Sequence, residues 1–96
     1  MARPVIERRL REVAGRLIRL RADLAVAEEQ LAHLEDEADD ARVRHLVAET
    51  PLSERGRREA ERQAQAMARH REDLLAEMLR LEISQDELLD RMSVDG

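Results

Sequence analysis

No aromatic side chain and no cysteine occur anywhere in this 96-residue chain. Without Phe, Tyr or Trp it lacks the large side chains that anchor most cores and binding hot spots, so any core it builds is aliphatic and thin. Without cysteine there are no disulfides and no thiolate chemistry, and the redox compartment is left open. Lysine is absent as well: all 17 basic residues are arginine, which resembles the coding bias of high-GC genomes such as those of actinobacteria. No apolar run approaches the roughly twenty residues needed to span a bilayer, and the N-terminus carries no signal-peptide apolar segment, so a cytoplasmic location and no membrane partner are expected. With three glycines there is no Gly-rich phosphate loop.

What the chain does have is a seven-residue apolar rhythm, written twice. From Ile6 it runs through Leu10, Val13, Leu17, Leu20, Leu24, Ala27, Leu31, Leu34, Ala38 and Ala41, in alternating steps of three and four. Beyond Thr50 and Pro51 it returns as Ala60, Ala64, Met67, Leu74, Met78, Leu81, Leu88 and Met92, with Arg71 and Gln85 filling two beats. Folding the chain at Pro51 sets Val13 opposite Leu88, Leu20 opposite Leu81, Ala27 opposite Leu74, Leu34 opposite Met67 and Ala41 opposite Ala60 in one register. That coincidence predicts an all-α fold, a long antiparallel two-helix coiled-coil hairpin. The 41% of charged residues would otherwise suggest disorder, but strict periodicity and the dominance of Ala, Leu, Glu and Arg argue for stable helix.

The expected organisation is a single domain over residues 1–96, with helix one at about 5–48, a turn at about 49–53 and helix two at about 53–92. Pro4 suits a first helical turn. Thr50 is a candidate cap for helix two with Pro51 at its first position, and Ser53 is a competing cap. Residues 93–96 are expected to fray. Charge comes in blocks: seven Arg against two acids in residues 1–21, eight acids and no Arg in 23–40, eight Arg against four Glu in 42–71, and eight acids against two Arg in 72–96. Folding at Pro51 lays the first block beside the fourth and the second beside part of the third, in agreement with the apolar register. Individual pairs are mixed: Arg21 with Glu82 and Arg42 with Glu61 are expected to attract across the hairpin and Arg9 with Arg91 and Asp23 with Glu77 to repel, although exposed pairs contribute little.

Two helices cannot enclose a three-dimensional core, so further burial has to come from a partner. A second apolar face offers one: Ala14, Ile18, Ala22 and Ala25 on helix one, and Leu75, Leu79, Ile83 and Leu89 on helix two, fall on one edge of the hairpin. Ile18, Ala22, Leu75, Leu79, Ile83 and Leu89 are the candidate interface. Its expected occupant is a second copy, giving a homodimeric four-helix bundle, and another helical protein is the alternative. The seam narrows to alanines near the turn, where burial is smallest. His45 falls on that part of the seam, opposite Arg57.

Arg42, Arg44, Arg55, Arg57 and Arg58 gather at the turn against Glu49 and Glu54. A basic tip suits phosphates or an acidic protein surface, yet no aromatic is present to stack on a base and the net charge of −5 opposes general nucleic-acid affinity. Glu29, His33 and Glu37 share a helical face near Asp36 and Asp40, but they point outward and form no Glu-x-x-His motif, so no metal site is expected. With no Gly-rich phosphate loop, no cysteine and only two serines in or near helix two besides Ser93, no cofactor and no enzymatic activity are expected either. In shape the hairpin resembles the coiled-coil factors that enter the RNA polymerase secondary channel. Those carry acidic tips, whereas this tip is basic, so their metal-dependent mechanism does not transfer. The inferred assembly also resembles the Rop-like dimers of helical hairpins that bind RNA. The expected function is a non-enzymatic structural or interaction protein, a homodimeric scaffold or adaptor. The alternative is a regulator of transcription or RNA that docks on nucleic acid or polymerase through the arginine tip.

Overall fold

The computed structural model describes residues 2–95, which form two α-helices and no strand: α1 (Arg3–Ala48) and α2 (Pro51–Asp95). The carbonyl of Ala2 accepts the Val5 and Ile6 amides at 3.0 and 3.1 Å, so α1 opens two residues earlier than the pattern suggests. Pro4 sits in that first turn, where a missing N–H leaves no bond unmade. At the other end Ser93, Val94 and Asp95 are helical instead of frayed. No glycine or proline interrupts them, and the repeat that reaches half-buried Met92 carries the helix on. Gly96, the last of the residues expected to fray, lies outside the described residues.

Only Glu49 and Thr50 separate the helices, and each has a defined task. Glu49 has φ 51° and its amide donates to the His45 carbonyl at 2.9 Å, the left-handed residue that closes many helix C-termini and that glycine usually supplies. Thr50 caps α2: its Oγ1 accepts the Ser53 amide at 3.1 Å, and its own amide donates to Ser53 Oγ at 3.0 Å. The two rival caps are therefore halves of one reciprocal capping box, with Ser53 in the place often held by Glu or Gln. Pro51 follows as the first helical residue.

The chain packs as two compact units, one made of Met1–Leu24 with Asp73–Gly96, the other of Ala25–Glu72. In the first, Ile6, Leu17, Leu20, Leu74 and Leu88 are buried, and Leu10, Val13, Leu24, Met78 and Leu81 are half-buried. Val13 and Leu88 line one groove, as the register requires. The Arg16 guanidinium reaches across to Glu77 with two bonds, Nε to Oε1 at 3.0 Å and Nη2 to Oε2 at 3.1 Å. In the second unit α1 turns back into α2 as an antiparallel hairpin. Its buried residues are the alanines Ala27 and Ala41, while Leu31, Leu34, Ala60, Ala64 and Met67 are half-buried. Leu34 and Met67 again share a groove. Arg71, on a seam beat, is half-buried and aims Nε at Glu28 Oε1, 3.9 Å away, which is how a long side chain covers apolar surface while its head stays wet.

The expected Arg42–Glu61 attraction is replaced by shorter-range pairing. Arg42 bonds Asp39 on its own helix, and Glu61 is held by Arg57 at 2.9 Å. Partners three or four residues away on one helix are neighbours by construction, so they capture charges before the facing helix does.

Two substitutions test this account by thermal and urea denaturation followed at 222 nm. Leu20→Ala removes a fully buried side chain and is expected to cost about 2–4 kcal/mol. Glu49→Gly relieves a left-handed residue without touching a packed contact, and is expected to stabilise by about 0.5–1 kcal/mol.

Candidate interaction surfaces

In the unit formed by the N- and C-terminal segments, Ile18, Leu79, Ile83 and Leu89 are between 47% and 65% exposed. Ala22 is exposed too, whereas Leu75 is half-buried because it borders the seam residue Leu74. With the seam residues numbered a and d of the heptad, Leu75 and Leu89 fall at e, Ile18 and Leu79 at b, and Ile83 at f. In an antiparallel pair the e positions of both helices lie on the same flank. These side chains therefore make one apolar strip beside the seam. Its two edges differ in charge. Exposed Arg11, at b, borders it on α1, and exposed Asp86 and Asp90, at b and f, border it on α2, while exposed Arg21 and Glu82 occupy e positions within it.

The Ala25–Glu72 unit brings the tip arginines to the turn but leaves few of them free. Glu54 is the hub: it bonds Arg57, takes Arg58 Nε at 3.1 Å, and lies 2.9 Å from His45 Nε2. The other ring nitrogen of His45 is 2.9 Å from Ser53 Oγ, so the half-buried histidine ties the last turn of α1 to the cap of α2. Its contact is Glu54, one turn before the Arg57 it was expected to face. Arg57 also bonds Glu61, and Arg42 bonds Asp39. Among the described residues, Arg44 and Arg55 are the two tip arginines with no ion pair. Hydrogen bonding from Arg57 above all, with Arg58 and the charge of His45, holds the Glu54 carboxyl at about 2, down from 4.5. Arg57 is correspondingly held even further into its protonated form.

The turn also carries an apolar patch that the heptad reading passes over: Val43, Leu46, Val47 and Leu52 are between 58% and 83% exposed. Their signal was present as Val43 and Val47 one helical turn apart and Leu52 just after Pro51. It was hidden because these positions fall outside the a/d frame and among arginines. Elsewhere, exposed His33 Nε2 sits 3.0 Å from Glu37 Oε1, and among the described residues no group of three His, Cys, Asp or Glu side chains converges to hold a metal ion. No helix among them is long and apolar enough to cross a membrane.

No family model, curated protein or solved structure matches the chain.

The Glu54 hub makes the turn acid-sensitive in one direction. Because the folded carboxyl is held near 2 and its ordinary value is 4.5, its contribution is complete above about pH 4.5 and is lost as pH falls toward 2. A carboxyl-carbon NMR titration is expected to place the Glu54 midpoint near 2. Glu54→Gln is expected to lower the melting temperature at pH 7 and to narrow its gap to the parent at pH 2. A Glu54 midpoint near 4.5 would show that the hub does not form in solution.

Proposed function

We propose that this protein is a non-enzymatic scaffold or adaptor that acts as a homodimer, two copies burying their apolar flanks together as an antiparallel four-helix bundle. The observation that carries this reading is the strip of Ile18, Leu79, Ile83 and Leu89, left in water although the seam beside it is already filled. Contiguous apolar surface of this kind is uncommon on stable monomers and marks association sites.

Charge selects the orientation. A two-fold axis lying in the shared face and running along the helices sets α1 of one copy over α2 of the other. The arginine edge then meets the carboxylate edge twice, with Arg11 of each copy level with Asp90 of the other. An axis running across the helices would set like charge on like. Complementary edges of this kind fix register and partner choice more than they add affinity.

The rival reading, a regulator docking through its arginine tip, has less to draw on, since Arg42, Arg57 and Arg58 are already paired with Asp39, Glu54 and Glu61. Among the described residues, only Arg44 and Arg55 remain as tip arginines without an ion pair.

Light scattering across a dilution series is expected to give a mass near twice 11.1 kDa. Leu79→Glu puts an unpaired charge into the interface and is expected to yield monomer or unfolded chain. Arg11→Glu is expected to weaken the dimer in a salt-dependent way, and adding Asp90→Arg to restore it. A dimer indifferent to Leu79→Glu would rule the flank out as the interface.

A further inference from the structure

The strip on the unit of the terminal segments is not wholly apolar. Exposed Arg21 and Glu82 stand at e positions in its midst, among Ile18, Leu79 and Ile83. Arg21 follows Leu20 and Glu82 follows Leu81, so the seam register sets the two charges level on one flank. One heptad away the e positions hold Ala14 with Leu89 on one side and Leu75 on the other. A single charged layer interrupts an aliphatic face.

Neither charge is satisfied inside the chain. Elsewhere a neighbour on the same helix captures the charge, as Asp39 does Arg42 and Arg57 does Glu61. Three and four residues from Arg21 lie Leu17, Ile18, Leu24 and Ala25, and from Glu82 lie Met78, Leu79, Gln85 and Asp86. Neither helix offers an opposite charge at the spacing where one could pair. The ion pairs of this unit join Arg3 to Glu7, Arg8 to Glu12 and Arg16 to Glu77, and among the described residues none involves Arg21 or Glu82. The attraction expected between these two across the hairpin is not made.

A partner laid on the strip covers both charges, and a charge buried without a counter-charge is costly. The partner therefore has to bring a carboxylate over Arg21 and a cation over Glu82. A second copy does so by symmetry alone. With the two-fold axis along the helices, α1 of each copy lies over α2 of the other at unchanged height, and each Arg21 meets the other copy's Glu82. We propose that in the flank-to-flank dimer, on which this inference rests, Arg21 and Glu82 of both copies close a ring of four alternating charges that restricts the strip to a second copy in one register. A guanidinium has five N–H donors, enough to bond a carboxylate from each copy. Such a ring adds little affinity over leucines of similar volume, but it penalises any alignment that breaks it. Sliding one copy by a heptad seats Arg21 against Leu75 or Leu89.

The test follows full-length chains by light scattering and far-ultraviolet circular dichroism. Arg21→Glu and Glu82→Arg are each expected to raise the dimer dissociation constant by at least about tenfold, because four like charges then meet. Mixed in equal amounts, the two variants are expected to recover the parental mass and helix content, since each supplies the charges the other lacks. Both changes in one chain are expected to recover them as well. A loss that the mixture fails to repair would overturn the proposal, and repair by the double change alone would place the pair within one chain. A dimer untouched by either single change but disrupted by Leu79→Glu would overturn the ring and leave the flank interface standing. A monomeric parent, or a dimer indifferent to Leu79→Glu, would overturn both.

Discussion

Two packed helices share one stripe, and every other position on each faces outward. That limit governs the rest of this structure. A side chain is drawn into the seam once every three or four residues, and with no aromatic available the seam closes over seven buried residues among those described, all aliphatic. An apolar residue placed elsewhere cannot be core of this chain. Single exposed leucines and valines are ordinary on any protein, so identity alone makes none of them informative. Contiguity does: the outward apolar residues gather into a strip in one unit and a groove in the other.

The limit acts unevenly along the seam. Five large aliphatic residues are buried in the unit made of the two terminal segments, against two alanines in the Ala25–Glu72 unit. At roughly 25 cal/mol per Å², alanine burial contributes little, and the turn end is held by other means. Glu49 closes α1, Thr50 and Ser53 cap α2, and Glu54 gathers His45, Arg57 and Arg58 about one carboxylate. Such bonds fix where the chain turns, because they depend on direction. They add less cohesion than a leucine seam, being part-solvated and screened. The turn is accurately placed but thinly packed.

The seam was legible in the sequence because a heptad is a long, redundant signal. An error at any one beat, such as Arg71 or Gln85, leaves the others to hold the register, and both residues are half-buried on the beats assigned to them. The turn was legible from Pro51 and Thr50. The ion pairs were not. A fold-back register says which blocks of charge lie near each other but not which rotamers meet, and local partners such as Asp39 for Arg42 prevail. The apolar groove escaped for another reason: heptad reading sorts residues into seam and outside, and it discards what is outside. Val47 and Leu52 lie outside on separate helices, and only the turn geometry brings them to one trough.

If both proposals hold, discrimination at the dimer interface follows from the same limit. Leucine and alanine offer no shape that a single partner fits, so a strip built only of residues such as Ala14, Leu75 and Leu89 would accept many aliphatic faces, in registers one heptad apart. With no aromatic anchor in the chain, charge is what remains to discriminate. Arg21 and Glu82 act by what they reject: a wholly apolar partner, or a copy displaced by one heptad, leaves them buried without cross-copy partners. The rim residues Arg11 and Asp90 act differently, because exposed charges are screened and chiefly steer encounter and orientation. Outer charges bring two copies together, and the inner layer tests the fit. An interface of this kind gives up some affinity for a single geometry. That exchange suits a scaffold, whose task is to hold its surfaces at fixed positions, and which a tighter dimer with two registers would not perform.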